Sequence, residues 1–153
     1  MVETPMGDNG FDSPESAAMV GFPPKYCQPI ASRMNGDDAY VLLNTGSREQ
    51  PYLYGVNCRL ENGRWFEGGS SNGPGWAQTG HDPYLGTLSF WDDAPVDADM
   101  VRVEFDGRIV EEPVIDRGFL VVWWRVPAPH EWPRVRAFRI AGRWIDSAGV
   151  HAG

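Results

Sequence analysis

Val101–Val126 reads VRVEFDGRIVEEPVIDRGFLVVWWRV, and this stretch decides the fold. Val101, Val103 and Phe105 alternate with Arg102 and Glu104, the period-two pattern of a strand with one buried face. Asp106-Gly107 supplies the positive φ of a tight hairpin turn. A two-residue loop sets Phe105 opposite Arg108; a three-residue loop sets it opposite Ile109, the register preferred here because it buries more. Asp116-Arg117-Gly118 turns the chain again, and Phe119 to Trp124 follow without a polar residue. Such a run fits a central strand covered on both sides, or one whose second face carries an interface. It is too short to span a membrane.

Outward from this block the same grammar recurs. Pro29–Met34 and Ala39–Asn44 read as strands around Asn35-Gly36-Asp37-Asp38. Tyr52–Leu60 and Arg64–Glu67 form a hairpin on Asn62-Gly63, with Glu61 facing Arg64 and Leu60 facing Trp65. Thr87–Trp91 is a further strand, and Arg134–Ile140 with Arg143–Ile145 makes a last hairpin, its alternation slipping near Ala137-Phe138 as at a bulge. About eight short strands and no long amphipathic helix predict an all-β fold. An antiparallel β-sandwich of immunoglobulin-like architecture is the first expectation and a small β-barrel the alternative.

The 153 residues suit one domain. Residues 1–22 read as a flexible acidic tail with one helical turn capped by Ser13, residues 23–146 as the sandwich, and 147–153 as a C-terminal tail. The span GGSSNGPGWAQTGHDPYLG, Gly68 to Gly86, shows no helix or strand period and reads as a long loop, the first place to search for function.

A net charge of −8 disfavours nucleic acid and anionic membrane surfaces. The charge is uneven: from Asp92 to Asp116 nine acids meet two arginines, and from Arg117 to Arg143 six arginines meet Glu131 alone. The expectation is that the two segments are neighbours and pair across strands; an arginine face for an anionic partner is the alternative. Two cysteines, Cys27 and Cys58, make no disulfide framework and no leader precedes them, so reduced thiols in a cytoplasmic setting are expected.

Catalytic signatures are sparse. There is no G-x-S-x-G and no Walker lysine, and Asp37-Asp38 lack the spaced ligands and closing glutamate of a calcium loop. His81-Asp82 and His130-Glu131 have no metal-ligand spacing, so neither a metal nor a cofactor is expected. What stands out is seven tryptophans. Trp65, Trp144 and one of Trp123 or Trp124 are expected in the core, and Trp76 and Trp132 at the surface. The first functional expectation is a non-catalytic interaction module. It would bind a protein partner, or its own copy, through the Trp123/Trp124 strand or the loop around Trp76. The second is a carbohydrate or small-ligand domain using Trp76, Tyr84 and Trp132. The third is a small barrel enzyme with a tryptophan-lined cavity and His81 or His130 as acid or base.

Overall fold

A computed structural model describes residues 10–47, 49–72, 75–79 (backbone only), 86–127 and 131–148. Among these, the protein is an antiparallel all-β sandwich, and its sheets do not close into a barrel. Strands β1 (Gln28–Asn35), β2 (Asp38–Asn44), β3 (Leu53–Glu61) and β4 (Arg64–Asn72) form a meander in sequence order. Strands β5 (Gly75–Thr79), β6 (Gly86–Asp93) and β9 (Gly118–Val126) form a second sheet, ordered β5-β6-β9. Strands β7 (Ala98–Phe105), β8 (Arg108–Pro113), β10 (Arg134–Ile140) and β11 (Arg143–Asp146) form a third, ordered β11-β10-β7-β8.

The unbroken apolar run in β9 is explained by its place between the other two sheets. Phe119, Val121 and Trp123 share one core with Val101, Val103, Phe105 and Phe138 of the third sheet. Leu120 points the other way, into a core with Ile30, Tyr40, Leu42 and Leu53 of the first sheet and Trp91 of β6. Alternate residues of one strand thus fill two cores, and each fully buried side chain contributes roughly 1.5–3 kcal/mol. Between the first and second sheets the Tyr40 hydroxyl is hydrogen-bonded to Ser89, and burial pushes its pKa up to about 12. Gly55 lies beneath that contact, and a Cβ there would stand 2.9 Å from the Tyr40 ring.

β2 is likewise buried on both faces. Ala39, Val41 and Leu43 look away from the sandwich, into a third core closed by Val56, Cys58, Trp65 and helix α1 (Pro14–Ala18). Ser13 caps α1 by accepting from the Ser16 N–H at 3.1 Å, and Pro14 opens it, as its sequence predicts. The expectation of a flexible tail through Phe22 does not hold from Gly10 onward. Ala17 and Ala18 are fully buried, Phe11 and Trp65 exchange two backbone bonds of 2.8 Å, and Arg64 pairs with Asp12. The physical reason is that the outer face of the first sheet is apolar and needs a cover; small alanines let α1 come close enough to supply it.

Four other expectations are corrected. The Asp106-Gly107 turn is the two-residue kind, with φ of 50° and 74°, so Phe105 pairs with Arg108 and Ile109 is left 57% exposed opposite Glu104. Phe105 finds its apolar partner in Trp123 instead, ring centroids 4.9 Å apart. The bulge in β10 falls at Arg136, between Val135 and Ala137. The Gly68–Gly86 span is largely regular: β4 runs to Asn72, and β5 covers Gly75–Thr79. Its first glycine is the extra residue of a β-bulge opposite Asn57-Cys58, where a Cβ would meet the Asn57 Oδ1 at 2.9 Å. The strands number eleven among the described residues, against about eight expected, because the Gly68–Gly86 span holds β5 and the central block supplies β7, β8 and β9.

Both cysteines are free and buried. Cys58 is level with Ala39 and Gln28 is level with Asn44. Ala39 and Asn44 are five positions apart on β2, about 17 Å along the strand. Cys27, one residue before Gln28, cannot come within the roughly 7 Å that a disulfide spans.

Candidate functional site

The tryptophans singled out from the sequence gather at one end of the stack. In β9, Trp123 pairs with Leu88 and Val126 with Gly86, so Trp124 and Arg125 both stand against Thr87. This is a bulge, and Arg125 takes a φ of 54°, a left-handed conformation that a side chain disfavours. Its consequence is a break in the alternation: Trp123 and Val126 are buried, Trp124 is half-buried and Arg125 is exposed. Trp123 packs on Phe105, and its indole N–H is buried without a hydrogen-bond acceptor among the described residues. An unmet buried donor carries a desolvation penalty of about 1–3 kcal/mol.

The neighbouring segments converge on the same end. Phe105, against the Trp123 ring, closes the β7–β8 hairpin and pairs with Arg108. Glu104 pairs with Arg134, and Trp132 lies two residues upstream, 52% exposed beside the buried Pro133. Thr79 pairs with Thr87, which brings the outgoing end of β5 here too. Among the described residues, no ion pair engages Arg108 or Arg125, whereas Arg134 and Arg136 are held by Glu104 at 3.8 and 3.2 Å.

Of the residues proposed from sequence, Trp123, Trp124 and Trp132 therefore lie at the same end of the stack, with Trp123 a core residue there. Trp76 lies in β5 opposite Phe90, its side chain outside the described residues; His81 and Tyr84 also lie outside them. Trp144, expected in the core, is half-buried on the outer face of the third sheet, where the Arg102 guanidinium sits 4.0 Å from its ring. The charge asymmetry has its account in the pairs between the two segments: Arg139 binds Asp99 through Nε and Nη2, and Arg134 and Arg136 flank Glu104. The acidic and basic segments are neighbours that pair across strands. Arg125 and Arg108 were not singled out from the sequence. No local signal marks Arg125, because a bulge depends on the partner strand.

At the opposite end Arg117 ties three loops together. Its Nε donates to the Ala94 carbonyl at 3.1 Å, its Nη1 donates to the Glu49 carbonyl, and its own carbonyl accepts from the Ala94 N–H at 2.9 Å. Asp116 and Arg117 form a two-residue turn at φ of 50° and 65°, bracketed by reciprocal bonds between Ile115 and Gly118. Beside it, Asp92 has its pKa raised to about 7, by burial first and then by its hydrogen bond with Asp93 and that neighbour's charge. Asp93 in turn lies 4.0 Å from Arg117. This end is a clasp of three loops, and the Asp92 carboxyl within it has a pKa near neutrality.

Among the described residues, no group of three or more His, Cys, Asp or Glu side chains could hold a metal ion, and no helix is long and apolar enough to cross a membrane. Comparison with models of protein families, with curated proteins and with solved structures finds no match.

Proposed function

We propose that this chain is a non-catalytic interaction module that docks a protein partner on the tryptophan end. The observation that carries the reading is Trp132, a tryptophan left 52% exposed at the same end of the stack as the half-buried Trp124 and the strained bulge that holds it. A rigid indole offers wide contact area with little rotamer freedom to lose, which is why such residues anchor interfaces. Exposed Arg108 and Arg125 at the same end, on a chain of net charge −8, fit a partner segment that sets carboxylates beside an apolar anchor. The rest of the fold acts as an immunoglobulin-like sandwich acts in recognition, as a stiff frame that presents one end. A cytoplasmic, reducing setting agrees with two buried thiols that cannot reach each other.

The test is photo-crosslinking from benzoylphenylalanine placed at position 132, with position 34 as the control, since Met34 is also exposed at 59%. The expected product is a heterologous protein captured from 132 and not from 34. Its purified form should then bind the wild-type chain, bind Trp132→Ala and Arg125→Glu at least roughly tenfold more weakly, and weaken with added salt. A captured protein that binds all three chains equally would overturn the reading. So would a product made only of two copies of this chain.

A further inference from the structure

A second surface, on the outer face of the first sheet, carries a different chemistry. Tyr52 and Tyr54 are two positions apart at the start of β3 and share that face, while Leu53 between them is buried in the sandwich. Their ring centroids are 5.5 Å apart, and Phe22 meets Tyr54 edge-on at 4.9 Å, making a row of three rings. On the neighbouring strand Asn72 stands opposite Tyr54, and Ser70 opposite Val56, with the same facing.

Tyr52 is fixed along its backbone, and its ring is tethered by one side-chain bond. Its N–H donates to the Asn44 Oδ1 at 3.0 Å, and its carbonyl accepts from the Thr45 N–H at 2.8 Å and the Thr45 Oγ1 at 3.1 Å. Its phenol oxygen accepts from the Asn72 Nδ2 at 3.1 Å. Yet Tyr52 is 50% exposed. Fixing a side chain in the open costs rotamer entropy that little burial offsets. That cost becomes useful when a ligand meets the ring already in place.

We infer that this row is a binding site for a neutral oligosaccharide. A pyranose presents axial C–H groups that stack on the negative face of an aromatic ring, and equatorial hydroxyls that reach sideways for amides and hydroxyls. Tyr52 and Tyr54 supply the faces, and Asn72 and Ser70 the flanking polar groups. Two rings spaced like successive sugars of an extended chain suit an oligomer better than a single unit. The net charge of −8 disfavours uronates and sulfated sugars. The site shares no residue with the tryptophan end, so either can fail without the other.

The experiment is calorimetric titration of the full chain with hexasaccharides of β-linked glucose, xylose, mannose and N-acetylglucosamine, alongside a polyuronate of equal length. At least one neutral sugar should bind, with a Kd on the order of 0.1–1 mM, and the polyuronate should not. Tyr52→Ala should weaken that binding roughly tenfold or more. Tyr52→Phe, which keeps the ring and frees Asn72, should weaken it by a smaller factor and confirms that the fold is intact. Trp132→Ala should bind the sugar as the wild type does. The inference is overturned if none of the neutral sugars binds, if the polyuronate binds as well as they do, or if Tyr52→Ala binds unchanged.

Discussion

Replacing Arg117 by alanine should loosen the clasp between the three loops, and the size of the effect follows from what the guanidinium touches. Two charge-assisted bonds are lost, to the carbonyls of Ala94 and Glu49. Such bonds contribute about 1.5–3 kcal/mol each. The side chain is 23% exposed and its approach to Asp93 is a loose 4.0 Å, so water recovers part of both and the ion pair adds little. The expected loss is about 2–3 kcal/mol. Glycine at the same position loses the same bonds but relieves the left-handed backbone, φ 65°, which is unfavourable by about 1 kcal/mol for any residue with a Cβ. Arg117→Gly should therefore be about 1 kcal/mol more stable than Arg117→Ala. Urea unfolding followed by circular dichroism reads both, as lowered midpoints at an unchanged slope. If Arg117→Ala lies within about 0.5 kcal/mol of the wild type, or if glycine is no better than alanine, the clasp is not what holds this end.

Asp92 gives the protein a pH dependence of unusual sign. With a folded pKa raised from 3.8 to about 7, the carboxyl stays protonated in the native state while the unfolded chain has already ionised. Its contribution to stability is therefore full below the unfolded value and is lost as pH rises toward 7. Asp92→Asn should match the wild type near pH 4 and exceed it in melting temperature at pH 8; equal melting curves for both proteins across that range would show that Asp92 titrates normally. The thiols make a third case. Under native conditions Cys27 and Cys58 should resist alkylation, and mass spectrometry after mild oxidation should find no intramolecular bridge, because the register holds them far apart. A single oxidised species two mass units lighter would refute that register.

Much of the frame was legible from local pattern. The Asn62-Gly63 hairpin forms in the register its charges and apolar residues specify, Glu61 against Arg64 and Leu60 against Trp65. The polar-free run at Phe119–Trp124 fitted a strand covered on both sides or one with an interface face, and the first of these is what β9 shows; the uneven charge fitted paired strands or an arginine face, and Arg139–Asp99 and Arg134/Arg136–Glu104 show pairing. What was not legible depends on partners far away in sequence. Glycines at 68 and 69 looked like a loop because the bulge that takes up the first of them is set by its pairing with Asn57 and Cys58 on another strand. Trp144 looked like core because nothing nearby says that Arg102 would cover it from outside. The acidic N-terminal segment looked solvated because its fit depends on an apolar face assembled from β2, β3 and β4. The candidate site was legible as residue types, exposed tryptophans, and not as a place, since only the register shows Trp124, Trp132 and Arg125 at one end.

The whole account depends on β9 standing between two sheets, and two adjacent residues test this directly. Leu120 and Val121 are 0% and 2% exposed and face opposite cores. Truncation removes about 0.8 kcal/mol per methylene plus a cavity term, so Leu120→Ala should lose about 3–4 kcal/mol and Val121→Ala about 2–3 kcal/mol. In a strand with one free face, successive positions alternate between costly and harmless. Equilibrium unfolding of the two single variants should show large losses for both; a loss of less than about 0.5 kcal/mol in either would put that face of β9 in water and contradict the three-sheet stack.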